Sequence, residues 1–244
     1  MNQKKKCKEL KRISRENLNG RYKLAMAAFL TILLINLLTD LPFTYLLGSV
    51  YATTAQTVIY YIAEVLLSIV VGVLNMGLIR FHLSMAGKQQ IHLTDVFYCF
   101  RNHSNRYFGA YIIYYVISMI AKAPYLAARA FFKFKGNTLY TAIGLTAISV
   151  VLSIIVFVLL AFYMYLIISR EDLGVFACLA ESVKLIRGNI LRLIYIYLSF
   201  VGLLVLCLLS LGIGFLWVEP YFQQTLANFY LDVTGELPRV DYTV

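Results

Sequence analysis

Six apolar runs follow one another along the chain, and short polar segments separate them. A hydrocarbon core of roughly 30 Å needs about 20 helical residues, which most of these runs supply. The pattern therefore predicts an all-α, polytopic helical membrane protein with about six transmembrane helices. The predicted spans cover residues 22–38, 58–79, 107–121, 142–168, 190–211 and 215–230.

The last run differs from the others because Glu219, Pro220 and Tyr221 interrupt it. A polar break of this kind is compatible with a span only where other protein covers it. Pro220 also removes a backbone donor, so carbonyl groups in the preceding turn need another partner. Two interpretations stay open: a broken helix that lines a substrate site, and a helix that ends near the membrane surface. The aromatic neighbours favour the second.

A basic leader, residues 1–21, precedes a six-span membrane domain of residues 22–231, and a tail of residues 232–244 follows. The leader has a weak apolar face formed by Leu10, Ile13 and Leu18.

Two segments between the predicted spans, residues 92–101 and 174–187, show helical amphipathic spacing. Each is predicted to lie in the cytoplasmic membrane surface as an interfacial helix. Their apolar faces consist of Leu93, Val96, Phe97 and Phe100 in the first segment, and of Val175, Phe176, Leu179, Val183 and Ile186 in the second.

The basic residues indicate how the spans are oriented. Of 22 Lys and Arg residues, eighteen fall on one side of the predicted membrane and four on the other. Cytoplasmic loops carry the excess of basic residues, so both termini are predicted to be cytoplasmic. Nucleic-acid binding is not indicated, because the net charge of +10 comes largely from the leader and no reading module accompanies it.

One basic segment lies on the side predicted to be outside, at residues 122–141. Its cations are set among aromatic residues, which favours an interfacial helix whose rings enter the headgroup region. We therefore expect Arg129, Lys133 and Lys135 to contact anionic lipid headgroups. Membrane lipids are the expected partners.

Polar residues in the second predicted span fall on one helical stripe. Glu64, Ser68, Gly72 and Asn75 follow one another at spacings of four, four and three. The stripe is typical of a packing seam between helices. It is also compatible with the polar wall of a cavity, in which Glu64 would be an ionisable group inside the membrane. The packing seam is favoured.

Residues that could carry catalysis are not arranged in any recognisable motif. The four cysteines are scattered and show no metal-ligand spacing, and the three histidines are too far apart for adjacent turns. We expect free thiols, no metal, no cofactor and no enzymatic activity.

The chain resembles a bacterial family of six-span integral membrane proteins catalogued as domain of unknown function 975. The resemblance implies the six-span fold and a multi-pass location in the bacterial cell membrane, but no established activity. The motifs that carry it are Glu9-Leu10-Lys11, Leu18-Asn19-Gly20, Glu181-Ser182, Arg187-Gly188, the run from Leu211 to Trp217, Pro220-Tyr221 and Ala227-Asn228-Phe229-Tyr230.

Two functional hypotheses remain. The first is a non-catalytic membrane protein of the cell envelope that associates with lipids or with partner proteins, a second copy of the chain included. The alternative is a transporter or channel for a small molecule, ion or lipid, with a pathway lined by polar residues of the second and sixth spans. Those candidates are Glu64, Ser68, Asn75, Glu219 and Asn228.

Overall fold

The computed structural model describes residues 4–46, 54–131 and 138–238. Within these ranges the chain is helical and contains no strand, which confirms the all-α prediction. The helices are α1 (Cys7–Leu18), α2 (Tyr22–Leu46), α3 (Thr54–Ala86), a 3₁₀ helix (Leu93–Phe97), α4 (Tyr98–Arg101), α5 (Ser104–Phe131), α6 (Thr138–Leu159), α7 (Tyr163–Ser169), α8 (Val175–Arg187), α9 (Ile190–Leu209) and α10 (Phe215–Thr234).

Five helical stretches in the described ranges are long and apolar enough to cross a membrane. They are Tyr22–Thr39, Val58–Ala86, Ser104–Arg129, Leu139–Ser169 and Ile190–Leu209. These stretches confirm a polytopic membrane protein. The sixth predicted run is also helical, as α10, but α10 is not among the five. Its 20 residues include Glu219, Gln223, Gln224 and Asn228, which lower its apolar character.

The chain divides into two compact units, and the first comprises the described parts of Met1–Tyr107 and Asn189–Val244. In this unit α10 packs against α1, α2, α3 and α9. A core between the leader and the membrane helices is formed by Leu18, Ala25, Ala28, Ile32, Leu78, Phe81, Met85 and Val96. The apolar residues of the leader are therefore core residues: Leu10, Ile13 and Leu18 are 0–2% exposed.

The segment after α3 approaches that helix very closely at Gly77. A Cβ atom at this position would lie 1.8 Å from the carbonyl oxygen of Val96, so only glycine fits here. Val96 is fully buried, although Leu93 stays 37% exposed. The predicted interfacial helix over residues 92–101 is thus a 3₁₀ helix followed by the short α4, and it is docked on protein.

The second unit, Phe108–Gly188, contains most of α5 together with α6, α7 and α8. The predicted fourth span, residues 142–168, is divided here into α6 and α7. The hydroxyl of Ser182 donates to the carbonyl of Leu159, the last residue of α6, at 2.9 Å. This bond satisfies a carbonyl that the end of a helix leaves without an intrahelical partner.

Helix α8 buries a face that overlaps the predicted one: Ile186 is fully buried, and Val175, Leu179 and Val183 are half-buried. Cys178, Ser182 and Ile186 are fully buried, whereas Phe176 is 74% exposed. The spacing of four residues still gives one helical stripe, but it is centred on small residues because α8 packs against α6 and α7.

Candidate functional site

The stripe on α3 is only partly covered in the described structure, where Gly72 is its one buried member. Glu64 and Asn75 are exposed and Ser68 is half-buried. The hydroxyl of Ser68 donates to the carbonyl of Val65, and the Asn75 amide donates to Val71, both within the same helix. Among the described residues, Glu64 has no hydrogen bond or ion pair. Among the described residues, therefore, none of these three side chains forms a hydrogen bond with another helix.

The start of the first span contacts α10 next to its polar break. The hydroxyl of Tyr22 donates to the carbonyl of Trp217 at 2.9 Å, in the turn that precedes Pro220. Glu219 accepts a hydrogen bond from Gln223 of the same helix at 2.7 Å. Pro220 lies inside a continuous α10, so the break does not end this helix.

Asn228 lies at the centre of a buried polar cluster that joins α10 to the leader. Its amide nitrogen donates to the hydroxyl of Ser14 at 2.9 Å, and its amide oxygen accepts from Asn17 at 3.1 Å. Ser14 in turn donates to the carbonyl of Leu10. Asn228 and Ser14 are both fully buried. The predicted pathway residue is therefore enclosed by α1.

A second buried polar pair joins α10 to α3. It consists of Gln224, one turn before Asn228 on α10, and His82 on α3. The Nδ1 atom of His82 is 2.9 Å from Oε1 of Gln224, and the two residues are 1% and 0% exposed. The Nε2 atom of each has no hydrogen-bond partner among the described residues. The i, i+4 spacing of Gln224 and Asn228 is a sequence signal for this face of α10, and sequence reasoning missed it.

An ion pair fixes the chain before α1 to the start of α9 and the end of α10. The guanidinium of Arg192 donates to the Asp232 carboxylate and also to the carbonyl of Lys5, at 2.7 Å for the latter. The amide of Lys5 lies 3.3 Å from both carboxylate oxygens of Asp232. The Asp232 side chain is only 7% exposed. Residues far apart in the sequence make these contacts, so a local sequence motif does not predict them.

Helix α1 is also held along α9. The ammonium of Lys11 donates to the carbonyl of Ser199 at 2.8 Å and lies 4.0 Å from the centre of the Phe200 ring. Burial lowers the pKa of Lys11 below its usual value. One basic residue of the leader is thus a structural contact rather than a free surface charge.

The N-terminal end of α1 and the start of α9 line a pocket of about 570 Å³ that is open to the surface. We call it the cationic pocket. Its cationic residues are Lys4, Lys5, Lys6, Lys8 and Arg192, and its other lining residues are Cys7, Leu10, Leu191, Tyr195 and Ile196. The pocket therefore combines basic side chains with an apolar wall, at the position where the fifth candidate span begins.

Residues 122–131 of the basic segment belong to α5, and residues 132–137 lie outside the described residues. Helix α5 runs without a break from the third span to Phe131, where an interfacial helix was expected. Lys122 and Arg129 are exposed on this helix. The other two predicted headgroup contacts, Lys133 and Lys135, lie outside the described residues.

The described ranges contain no cluster of three His, Cys, Asp or Glu side chains that could hold a metal ion. All four cysteines are free thiols, and Cys99, Cys178 and Cys207 are buried. The polar arrangements of the first unit consist of amides, hydroxyls and ion pairs. Such groups can hold helices together and can bind anions.

A family model described as "Protein of unknown function (DUF975)" matches residues 1–236. No curated protein and no solved structure matches the chain. The match begins in the leader, so the cationic pocket and the Ser14–Asn228 contact lie within the region that the family model covers. It also confirms the resemblance drawn from the sequence motifs.

Proposed function

The chain belongs to the DUF975 family, and we propose that it is a non-catalytic integral membrane protein of the bacterial cell envelope that binds anionic phospholipid. In this proposal the protein lies in the plasma membrane with both termini in the cytoplasm. The lipid headgroup occupies the cationic pocket, at the cytoplasmic surface.

The observation that supports the proposal is the composition of the pocket wall. Lys6 and Lys8 are exposed, and neither has an ion-pair partner among the described residues. Lys5 and Arg192 are already engaged, by Glu9 and Asp232 respectively. The side chains of Lys6 and Lys8 are thus available for a phosphate group, whereas Lys5 and Arg192 hold the surrounding chain in place.

The apolar wall favours a phospholipid over a free anion. Leu191 and Tyr195 are 82% and 62% exposed at the start of α9, beside the basic residues. A headgroup held by the lysines would place its acyl chains along these side chains. A soluble phosphate or a nucleic acid would leave the apolar surface uncovered.

The transport alternative receives less support. Its candidate pathway residues have separate surroundings: Glu64 and Asn75 are exposed on α3, Glu219 contacts Gln223, and Asn228 is enclosed by α1. A pathway needs polar groups that face one another across a cavity. These side chains do not contact one another in the described structure.

The test compares two double variants of equal charge in the same detergent. Lys6→Gln/Lys8→Gln removes the two available cations of the pocket. Lys23→Gln/Lys88→Gln removes two exposed cations that do not line it. Binding of short-chain phosphatidylglycerol, with phosphatidylcholine as the neutral comparison, is measured by native mass spectrometry.

We expect the pocket variant to bind phosphatidylglycerol roughly 30-fold more weakly, at about 1 kcal/mol for each charge near the surface. The control variant should stay close to the unmodified protein, and phosphatidylcholine binding should not change in either. Equal losses in both variants would mean a general charge effect without a site. Unchanged binding in both would refute the proposed function.

A further inference from the structure

Two opposite charges are exposed inside candidate membrane spans. Glu64 lies within Val58–Ala86 and Lys122 lies within Ser104–Arg129. Both side chains are exposed, and neither has an ion-pair partner among the described residues. Their neighbours on the same helical face are exposed aromatic and apolar side chains: Tyr61 beside Glu64, and Tyr125 and Leu126 beside Lys122, are 39–51% exposed.

The two charges are also equally far along the chain from the basic ends of the segment that connects their helices. Helices α3 and α5 are consecutive spans, and Arg80 and Arg106 flank the segment that connects them. Glu64 precedes Arg80 by as many residues as Lys122 follows Arg106, which corresponds to about 24 Å along each helix. With Arg80 and Arg106 both at the cytoplasmic membrane surface, as the distribution of basic residues predicts, Glu64 and Lys122 are expected at similar depths in the membrane.

Charges at this position need a partner, since an ionised side chain that faces hydrocarbon is strongly unfavourable. Glu64 is the only acidic residue in the five candidate spans. The other basic residues of these spans, such as Arg80 and Arg192, lie near the ends of the apolar stretches. Lys122 is the basic residue whose depth and exposure match Glu64.

We propose that the protein self-associates in the membrane, with Glu64 of one copy forming an ion pair with Lys122 of a second copy. The exposed face of α3 in one copy then contacts the face of α5 that carries Lys122 in the second copy. The opposite charges of Glu64 and Lys122 make these two faces complementary. Asn75, exposed on the same stripe as Glu64, supplies a further amide for hydrogen bonding across this contact. The contact is independent of the cationic pocket and of the proposed lipid binding.

Charge reversal tests the contact directly. Two differently tagged copies are co-expressed and extracted in a mild detergent, and the second tag is quantified after purification on the first. Unmodified copies should co-purify. Glu64→Lys in both copies, or Lys122→Glu in both copies, should reduce co-purification about tenfold or more. Arg129→Glu, at an exposed position near the end of the same candidate span as Lys122, is the matched control and should have no effect.

Two combinations identify the pair as intermolecular. The double variant Glu64→Lys/Lys122→Glu should recover co-purification, because the charges are exchanged. A mixture in which one copy carries Glu64→Lys and the other carries Lys122→Glu should recover it too, because each contact then joins opposite charges. Size-exclusion chromatography of each single variant confirms that it is folded.

Three results would overturn the proposal. Unmodified copies that do not co-purify would assign the α3 face to lipid or to another protein. Single variants that co-purify as well as the unmodified chain would exclude the ion pair from the contact. Recovery in the double variant without recovery in the mixture would place the pair within one chain.

Discussion

The side-chain amide of Asn228 donates a hydrogen bond to the hydroxyl of Ser14 at 2.9 Å, and both residues are fully buried. The contact joins the last described helix of the chain to the first. It shows that the leader is a part of the folded unit and not only a basic segment that sets topology. The lysines at its N-terminal end are held in place by this packing.

Replacing Asn228 by Ala should destabilise the protein strongly. Ser14 and Asn17 would each lose a partner, and a buried polar group without a partner costs about 1–3 kcal/mol. Thermal unfolding in detergent, followed by tryptophan fluorescence, measures the loss. Asn75→Ala is the matched control, since Asn75 is exposed and bonds only to its own helix. Equal effects of the two changes would contradict the importance of the buried cluster.

The Ser14→Ala/Asn228→Ala pair tests the contact itself. In a double-mutant cycle, the two changes together should cost less than the sum of the single changes, by about 0.5–3 kcal/mol for residues in contact. Additive effects would show that Asn228 acts through Asn17 alone.

Replacing Gly77 by Ala should also destabilise the fold, for a steric reason. The new Cβ atom would lie 1.8 Å from the Val96 carbonyl oxygen, so α3 and the following segment must separate. Forcing atoms into a packed core costs about 1–3 kcal/mol. Gly109→Ala is the control, because nothing lies within 4 Å of a Cβ at that helical position. The control should be neutral or slightly stabilising, since Ala favours a helix by about 1 kcal/mol over Gly.

The fold class could be predicted because long apolar runs are a local property of the sequence. The positions at which helices are interrupted are harder to predict from the sequence, since they depend on tertiary contacts. The predicted fourth span is divided where Ser182 supplies a bond to the Leu159 carbonyl, and the segment after α3 is broken where Val96 meets Gly77. Neither partner is near its counterpart in the chain, so periodicity alone could not reveal these breaks.

The candidate site was predicted in part for a similar reason. Asn228 and Glu219 stand out as polar residues in an apolar run, but their partners cannot be read from that run. Arg192 and Asp232 are recognisable as a pair only when α9 and α10 are placed side by side. The stripe through Glu64 was assigned to packing, and its members differ: Gly72 is buried, whereas Glu64 and Asn75 are exposed. Helical spacing identifies a face but does not identify what covers that face.

The Arg192–Asp232 pair should contribute more to stability than an exposed ion pair. Arg192→Met would leave a carboxylate that is 7% exposed with only the Lys5 amide as a partner. Breaking a buried pair costs about 3–5 kcal/mol, and the partial exposure of Arg192 places this loss towards the lower end. The free energy of unfolding in detergent is the measurement. Glu181→Gln, which breaks the exposed pair with Lys184, should cost less than about 1 kcal/mol.

The double variant Arg192→Met/Asp232→Leu should recover part of that stability, since no buried charge then remains. A double variant as unstable as Arg192→Met alone would show that packing of the arginine, rather than its charge, holds the helices together.

Thiol labelling tests both the burial of the cysteines and the orientation of the chain. Cys7 is half-buried in the cationic pocket, whereas Cys99, Cys178 and Cys207 are buried. Burial raises the pKa of Cys99 to about 12, so its thiol stays protonated and unreactive at pH 8. In the folded protein in detergent, a maleimide should therefore modify Cys7 alone, and unfolding should make all four thiols reactive. Mass spectrometry of the labelled protein distinguishes one adduct from four.

The same reagent in a membrane-impermeant form then separates the two possible orientations. On sealed cells, Cys7 should stay unlabelled until the membrane is permeabilised, because the leader is predicted to be cytoplasmic. Ser49→Cys should be labelled without permeabilisation, because the segment between the first two predicted spans is predicted to be outside; Ser49 itself lies outside the described residues. Among the native thiols only Cys7 reports the orientation, since the three buried thiols do not react with the reagent on either side of the membrane. Labelling of Cys7 on sealed cells would reverse the orientation, and it would move the cationic pocket, with its proposed lipid, to the outer surface.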